Sequence, residues 1–72
     1  MPLFPSYKPL RKLVVDRDMK MSDLYKNDVV SRSTVSVLNM DRFVSLETLA
    51  LICEYLNCRI EDVVEFVDDT QS

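Results

Sequence analysis

Apolar residues recur along this chain at helical spacing, with polar positions between them and little strict alternation. Leu10, Leu13 and Val14 share one face while Lys8, Arg11, Lys12 and Asp16 fall elsewhere. With Ser6 as N-cap and Pro9 tolerated in the first turn, this predicts a first helix over residues 7–17. A short second helix fits residues 21–27, with Leu24 inward, Asp23 complementing the macrodipole, and either Lys20 or Ser22 at the cap position. Val29 and Val30 interrupt the pattern. Ser31 then caps a third helix over residues 32–39, in which Val35 and Leu38 are three apart. Ser45 caps a fourth over residues 46–56, with Glu47 in its first turn. Leu46, Leu49, Cys53 and Leu56 make the expected inward stripe of that helix, and Ala50, Leu51, Ile52 and Tyr55 leave more apolar surface than one small core covers. Asn57 can stop it in the left-handed conformation, and Asp62 can cap back onto a fifth helix over residues 60–67, in which Ile60, Val63, Val64 and Val67 are apolar. Residues 1–6, extended by their prolines, read as an arm or edge segment, and residues 68–72 as a frayed, disordered acidic tail. The expected fold class is all-α, a compact five-helix domain over residues 7–67.

Composition sharpens this picture. At 72 residues one core gives modest stability, which makes self-association a natural supplement. Glycine is absent and histidine is absent, so phosphate-cradling glycine loops and histidine-based catalysis have no material. No catalytic residue, metal or cofactor is expected. Cys53 and Cys58 read as small buried hydrophobes rather than a bridge, and two thiols without histidine do not complete a zinc site within one chain. The acids Glu61, Asp62, Glu65, Asp68 and Asp69 lack the oxygen-ligand spacing and turn glycine of a calcium loop and read as a solvated face. No apolar run is long enough to span a bilayer, and residues 1–15 lack the order of a secretory signal, which makes a cytosolic protein without membrane contact the expectation.

The formal net charge of −3 disfavours a generic polyanion binder, yet the charge is unevenly placed. Residues 1–43 carry eight of the nine basic side chains against five acids, whereas residues 44–72 carry Arg59 alone against seven. The basic part contains a run rich in hydroxyls, Ser31-Arg32-Ser33-Thr34-Val35-Ser36.

Met19-Lys20-Met21-Ser22-Asp23-Leu24 followed by Val30-Ser31-Arg32-Ser33-Thr34-Val35-Ser36-Val37-Leu38 resembles the small phage-repressor-type, Cro/cI-like or XRE-like, helix-turn-helix regulators. The likeness continues through Val44-Ser45-Leu46-Glu47-Thr48-Leu49 and through Ile52-Cys53-Glu54-Tyr55-Leu56-Asn57-Cys58-Arg59-Ile60-Glu61-Asp62-Val63-Val64, and so covers roughly residues 7–67, nearly the whole chain. The resemblance implies a third helix that enters the major groove of double-stranded DNA while the second crosses the backbone. With Val30, Val35 and Leu38 turned to the core, Arg32, Ser33, Ser36 and Val37 become the candidate base contacts: Arg suits guanine, Ser either donor or acceptor, and Val a thymine methyl. Lys20, Lys26, Ser31 and Arg42 are the candidate phosphate contacts.

The chain departs from the family pattern at Tyr25, where a small residue is usual, at Val29, where a left-handed glycine is usual, and at Met21, where a polar residue is common. A β-branched residue at positive φ is strained, so either the turn takes another conformation or the third helix is displaced. The leading reading is a sequence-specific transcriptional regulator acting as a homodimer through Leu51, Tyr55 and Phe66, with the arm residues Leu3 and Phe4 as an adjunct. The alternative is a protein-interaction module of the same fold, an antirepressor, antitoxin or assembly partner with weak DNA binding, motivated by the acidic balance and the altered turn.

Overall fold

In the computed structural model, which describes residues 2–68, a strand β1 (Leu3–Ser6) leads into four helices, α1 (Lys8–Asp16), α2 (Asp23–Lys26), α3 (Arg32–Asn39) and α4 (Leu46–Leu56). A 3-10 turn (Ile60–Asp62) and a strand β2 (Glu65–Asp68) complete the order.

The serines mark the starts of α3 and α4 correctly. Ser31 Oγ accepts from the Thr34 amide at 3.2 Å, and Ser45 Oγ accepts from the Thr48 amide at 3.2 Å, each in the extended backbone conformation of an N-cap. Ser6 does not cap α1; it ends β1, and Tyr7 takes the N-cap position without a side-chain bond. In α2 the Asp23 carboxylate accepts from the Lys20 amide at 2.9 Å, so the turn tightens ahead of the helix proper.

Each α-helix ends in the same way. Asp18, Asp28, Asp41 and Asn57 have φ of 56°, 58°, 55° and 52° respectively, the left-handed region. At α1 the Asp18 amide donates to Val15 O (3.0 Å) and the Met19 amide to Val14 O (2.7 Å). At α2 the pair is Asp28 to Tyr25 O (3.2 Å) and Val29 to Leu24 O (2.9 Å). At α3 it is Asp41 to Leu38 O (3.2 Å) and Arg42 to Val37 O (3.2 Å), and at α4 Asn57 to Glu54 O (3.3 Å) and Cys58 to Cys53 O (3.0 Å). These are Schellman closures, built with the two non-glycine residue types that visit the left-handed region at least cost.

The core comprises Tyr7, Leu10, Val14, Leu24, Val35, Leu38, Leu49, Ile52, Leu56 and Val63. Burying each such aliphatic side chain contributes about 1.5–3 kcal/mol before entropy is counted. In α4 the buried stripe is Leu49, Ile52 and Leu56, with Cys53 half-buried, whereas Leu46 is 80% exposed. The stripe is thus rotated from the expected one, because Ile52 and not Leu46 lies over the core. Arg17 donates to the Leu56 carbonyl and ties the exit of α1 to the end of α4.

The fifth helix does not form, and the fold is correspondingly not all-α. Only Ile60–Asp62 turns, opened by the Arg59 amide donating to Asp62 Oδ2 at 3.1 Å; the chain then extends as β2. β2 pairs antiparallel with β1 in the register Leu3↔Asp68, Phe4↔Val67, Pro5↔Phe66 and Ser6↔Glu65. Val63-Val64-Glu65-Phe66-Val67 is rich in β-branched and aromatic residues that suit a pleated ribbon, and Pro5 is tolerated because a two-stranded sheet is all edge. The segment read as an arm or edge segment is a strand over Leu3–Ser6, and Asp68, expected in the tail, belongs to its partner; residues 69–72 of that tail lie outside the described residues.

Candidate nucleic-acid interface

α2 and α3 are joined by residues 27–31, and the geometry of that link decides whether α3 presents its outer face. The left-handed residue is Asp28 and not Val29. Val29 follows one position later, packs partly buried against the core and donates its amide back to Leu24. The strain expected of a β-branched residue at positive φ does not arise. Tyr25 is accommodated as well, half-buried at the edge of α2 with the Arg32 guanidinium carbon 5.6 Å from its ring centroid.

Val35 and Leu38 hold α3 to the core, and Val30 packs partly against it. At about 100° per residue, Arg32, Ser36, Ser33 and Val37 fall within an arc of about 140° on the opposite side. Arg32, Ser33 and Ser36 are exposed; Val37 is half-buried and lines a cleft of about 610 Å³ with Phe4, Pro5, Asp41, Arg42 and Phe43. The structure thus brings Arg32, Ser33 and Ser36 onto one open edge and sets Val37 at its flank. Asn39, exposed and seven residues after Arg32, lies on the same edge and lines a cleft of about 370 Å³ with Tyr25, Arg32 and Ser36. It escaped the sequence reading, although the spacing of Arg32, Ser36 and Asn39 is that of one helix face.

Lys20 is exposed just before α2, Lys26 is exposed at its last residue, and Arg42 is exposed just past α3. Ser31 is exposed at the start of α3, where its hydroxyl also meets Thr34 Oγ1 (2.8 Å) and Ser33 Oγ (3.1 Å). The first amides of α3, at Arg32 and Ser33, have no carbonyl one turn back to pair with and carry the positive end of the helix dipole.

The exit of α3 is anchored to α1. Asp41 Oδ1 accepts from the Tyr7 amide (2.9 Å) and from Arg11 Nη1 (3.1 Å), and Oδ2 accepts from Arg11 Nη2 (3.3 Å). Partial burial pushes the Asp41 carboxyl upward, but the Arg11 and Tyr7 hydrogen bonds and the charges of Arg11 and Lys8 outweigh it and hold the group below its ordinary value. Tyr7 is buried and its hydroxyl donates to the Arg42 carbonyl at 2.6 Å, so a phosphate candidate has its backbone pinned to the core.

Leu51 and Tyr55 are exposed together on α4 and line a shallow cleft with Asn27, Asp28, Val29 and Glu54. Phe66, 62% exposed, lies on β2 opposite Pro5. Cys53 and Cys58 are free, half-buried thiols packed against the core; burial pushes the Cys58 thiol up, with the neighbouring Cys53 and Asp62 adding to the effect and Arg17 opposing it. Among the described residues no group of three or more His, Cys, Asp or Glu side chains is placed to hold a metal ion, and no helix is long and apolar enough to cross a membrane.

A comparison with curated protein sequences finds no significant match. Among solved structures, the crystal structure of the transcriptional regulator VanUg is similar, with 42% sequence identity, a TM-score of 0.89, and 96% of this chain matched to 92% of that one. The family model for the Cro/C1-type HTH DNA-binding domain matches residues 9–69. With α2, the Asp28 turn and the outward edge of α3 all inside that span, the chain belongs to the Cro/C1-type helix-turn-helix DNA-binding domain family.

Proposed function

We propose that this protein is a sequence-specific transcriptional regulator that reads DNA with α3 and acts as a homodimer. The observation that carries the reading is the open edge of α3, where Arg32, Ser33 and Ser36 are exposed while Val35 and Leu38 fix the helix to the core from behind. In this reading Arg32, Ser33, Ser36 and Val37 face base edges in the major groove. Lys20, Lys26, Ser31 and Arg42 engage phosphates, with Tyr7 and Asp41 setting where Arg42 stands. The likeness to a protein described as a transcriptional regulator supports the regulatory role.

Helix length argues for two copies. Eight residues of α3 rise about 12 Å, which spans about four base pairs and is too short a word to specify one site. A two-fold dimer reading half-sites about one helical turn apart doubles it. Leu51 and Tyr55 on α4 and Phe66 on β2 are the apolar side chains assigned to the contact between copies, with the exposed Leu3 and Phe4 of the paired strand β1 as an adjunct.

Selection of bound sequences from a pool of randomised duplexes, followed by anisotropy titration at two salt concentrations, tests the proposal. The expected result is a two-fold symmetric motif whose affinity falls steeply with salt, Lys26→Ala reducing the logarithmic slope by about one per monomer while leaving the motif unchanged. Absence of any enriched motif and of low-salt binding would overturn it in favour of a protein-interaction module of the same fold.

A further inference from the structure

We infer that Tyr25 of α2 is a specificity-determining residue: its ring face holds the Arg32 guanidinium in the pose in which α3 offers it to a base. The inference rests on the DNA-reading role proposed above for α3.

Arg32 is the first residue of α3 and its side chain is exposed. A long cation in that position is free to sample many rotamers, including ones that turn back to the nearest phosphate. The ring face of Tyr25, and not a carboxylate, is the partner the described residues give it, with the guanidinium carbon 5.6 Å from the ring centroid. That separation lies within the range of cation–π attraction, and a planar guanidinium over an aromatic face keeps its edge nitrogens free to donate. Tyr25 is half-buried and Leu24 beside it is fully buried, so the platform is fixed by the core and not by the helix surface. Arg32 therefore stands at one end of the cleft that Ser36 and Asn39 continue along α3. Preorganisation of this kind raises discrimination, because the fork reaches the two acceptors on a guanine edge without first losing its freedom. A lysine would gain no comparable geometry from the ring.

The test uses the full chain, with Tyr25→Phe, Tyr25→Leu and Arg32→Ala variants, against the same randomised duplex pool. Tyr25→Leu keeps apolar bulk at the half-buried position and removes the aromatic face. The expected result is that Tyr25→Phe selects the wild-type motif, while Tyr25→Leu loses about tenfold in preference at the single base pair per half-site that Arg32→Ala also relaxes. In the DNA-free protein, the ring current should shift the Arg32 Hδ protons upfield in wild type and Tyr25→Phe, and the shift should vanish in Tyr25→Leu. An unchanged motif for Tyr25→Leu, or altered preference at a base pair that Arg32 does not govern, would overturn the inference while leaving the DNA-reading role standing. Failure of the wild-type protein to enrich any motif would instead remove the role on which it rests.

Discussion

The Arg11 guanidinium grips the Asp41 carboxylate through two nitrogens, at 3.1 and 3.3 Å, across a sequence separation of 30 residues. It fastens the exit of α3 to α1, and the same guanidinium donates to the Leu38 carbonyl at 3.2 Å. Asp41→Asn keeps a residue that tolerates the left-handed conformation but removes the charge. Both partners are about a third or more exposed, at 33% and 40%, so solvent screening limits the ion-pair share to within about 1 kcal/mol.

The pH profile of that loss has a definite direction. A carboxyl held below its ordinary value stabilises the fold fully above that value, and the contribution disappears as pH falls through the lowered native one. Wild type should exceed Asp41→Asn in melting temperature at neutral pH, and the two curves should converge as pH falls below the ordinary carboxyl range and through the lowered native value. Parallel curves down to pH 2 would show that the carboxylate charge is not what holds the contact.

Asp28 isolates the cost of a left-handed residue. Asp28→Gly should raise stability by about 0.5 kcal/mol, since glycine pays no steric penalty there, and Asp28→Val should lower it by about 1–2 kcal/mol. Asp41→Gly at the equivalent position should destabilise instead, because the Arg11 and Tyr7 contacts leave with the side chain. Urea denaturation of the three variants checks the order.

Tyr7→Phe should cost about 1 kcal/mol by leaving the Arg42 carbonyl without its donor. It should also weaken DNA affinity without altering base preference, since Arg42 is assigned to phosphate. Burial raises the Tyr7 hydroxyl above its usual value of 10.0, the Val44 backbone opposes this, and the Asp41 charge adds to it. The stabilisation is therefore intact below pH 10 and lost as pH rises through the raised native value, so the alkaline unfolding edge should flatten in Tyr7→Phe. Thermal melts from pH 8 to 11 provide the comparison.

If the protein forms the proposed homodimer, truncating Leu51, Tyr55 or Phe66 to Ala should dissociate it in sedimentation velocity without changing the helical circular-dichroism spectrum, because all three are at least 43% exposed. If all three truncations leave the sedimentation profile unchanged, the assigned surface is wrong.

Much of the helical frame was legible locally. Ser31 and Ser45 placed α3 and α4 to the residue, since a serine hydroxyl and an amide three positions on settle a helix start within one turn. Asn57 is legible as a helix stop, whereas Asp28 is not, because the family pattern sets its left-handed glycine at the position of Val29 and the chain makes the turn one residue earlier. What decides residues 65–68 is not local: Ile60, Val63, Val64 and Val67 satisfy helical spacing, and it is pairing with Leu3–Ser6 that makes Glu65–Asp68 a strand. The open edge of α3 followed from Val30, Val35 and Leu38 turning to the core. The flanking position of Val37 did not, because the cleft covering it is built from Phe4, Pro5 and Phe43 in other parts of the chain.

The pairing of Leu3 with Asp68 brings the start of β1 and the end of β2 to one corner of the fold. A linker of a few residues between them would close the backbone into a ring, and new ends could then be cut at the exposed bend by Asp18. Such a rearranged chain would keep every helix in its place and would hold the two strands at that corner by a covalent link as well as by their backbone pairing.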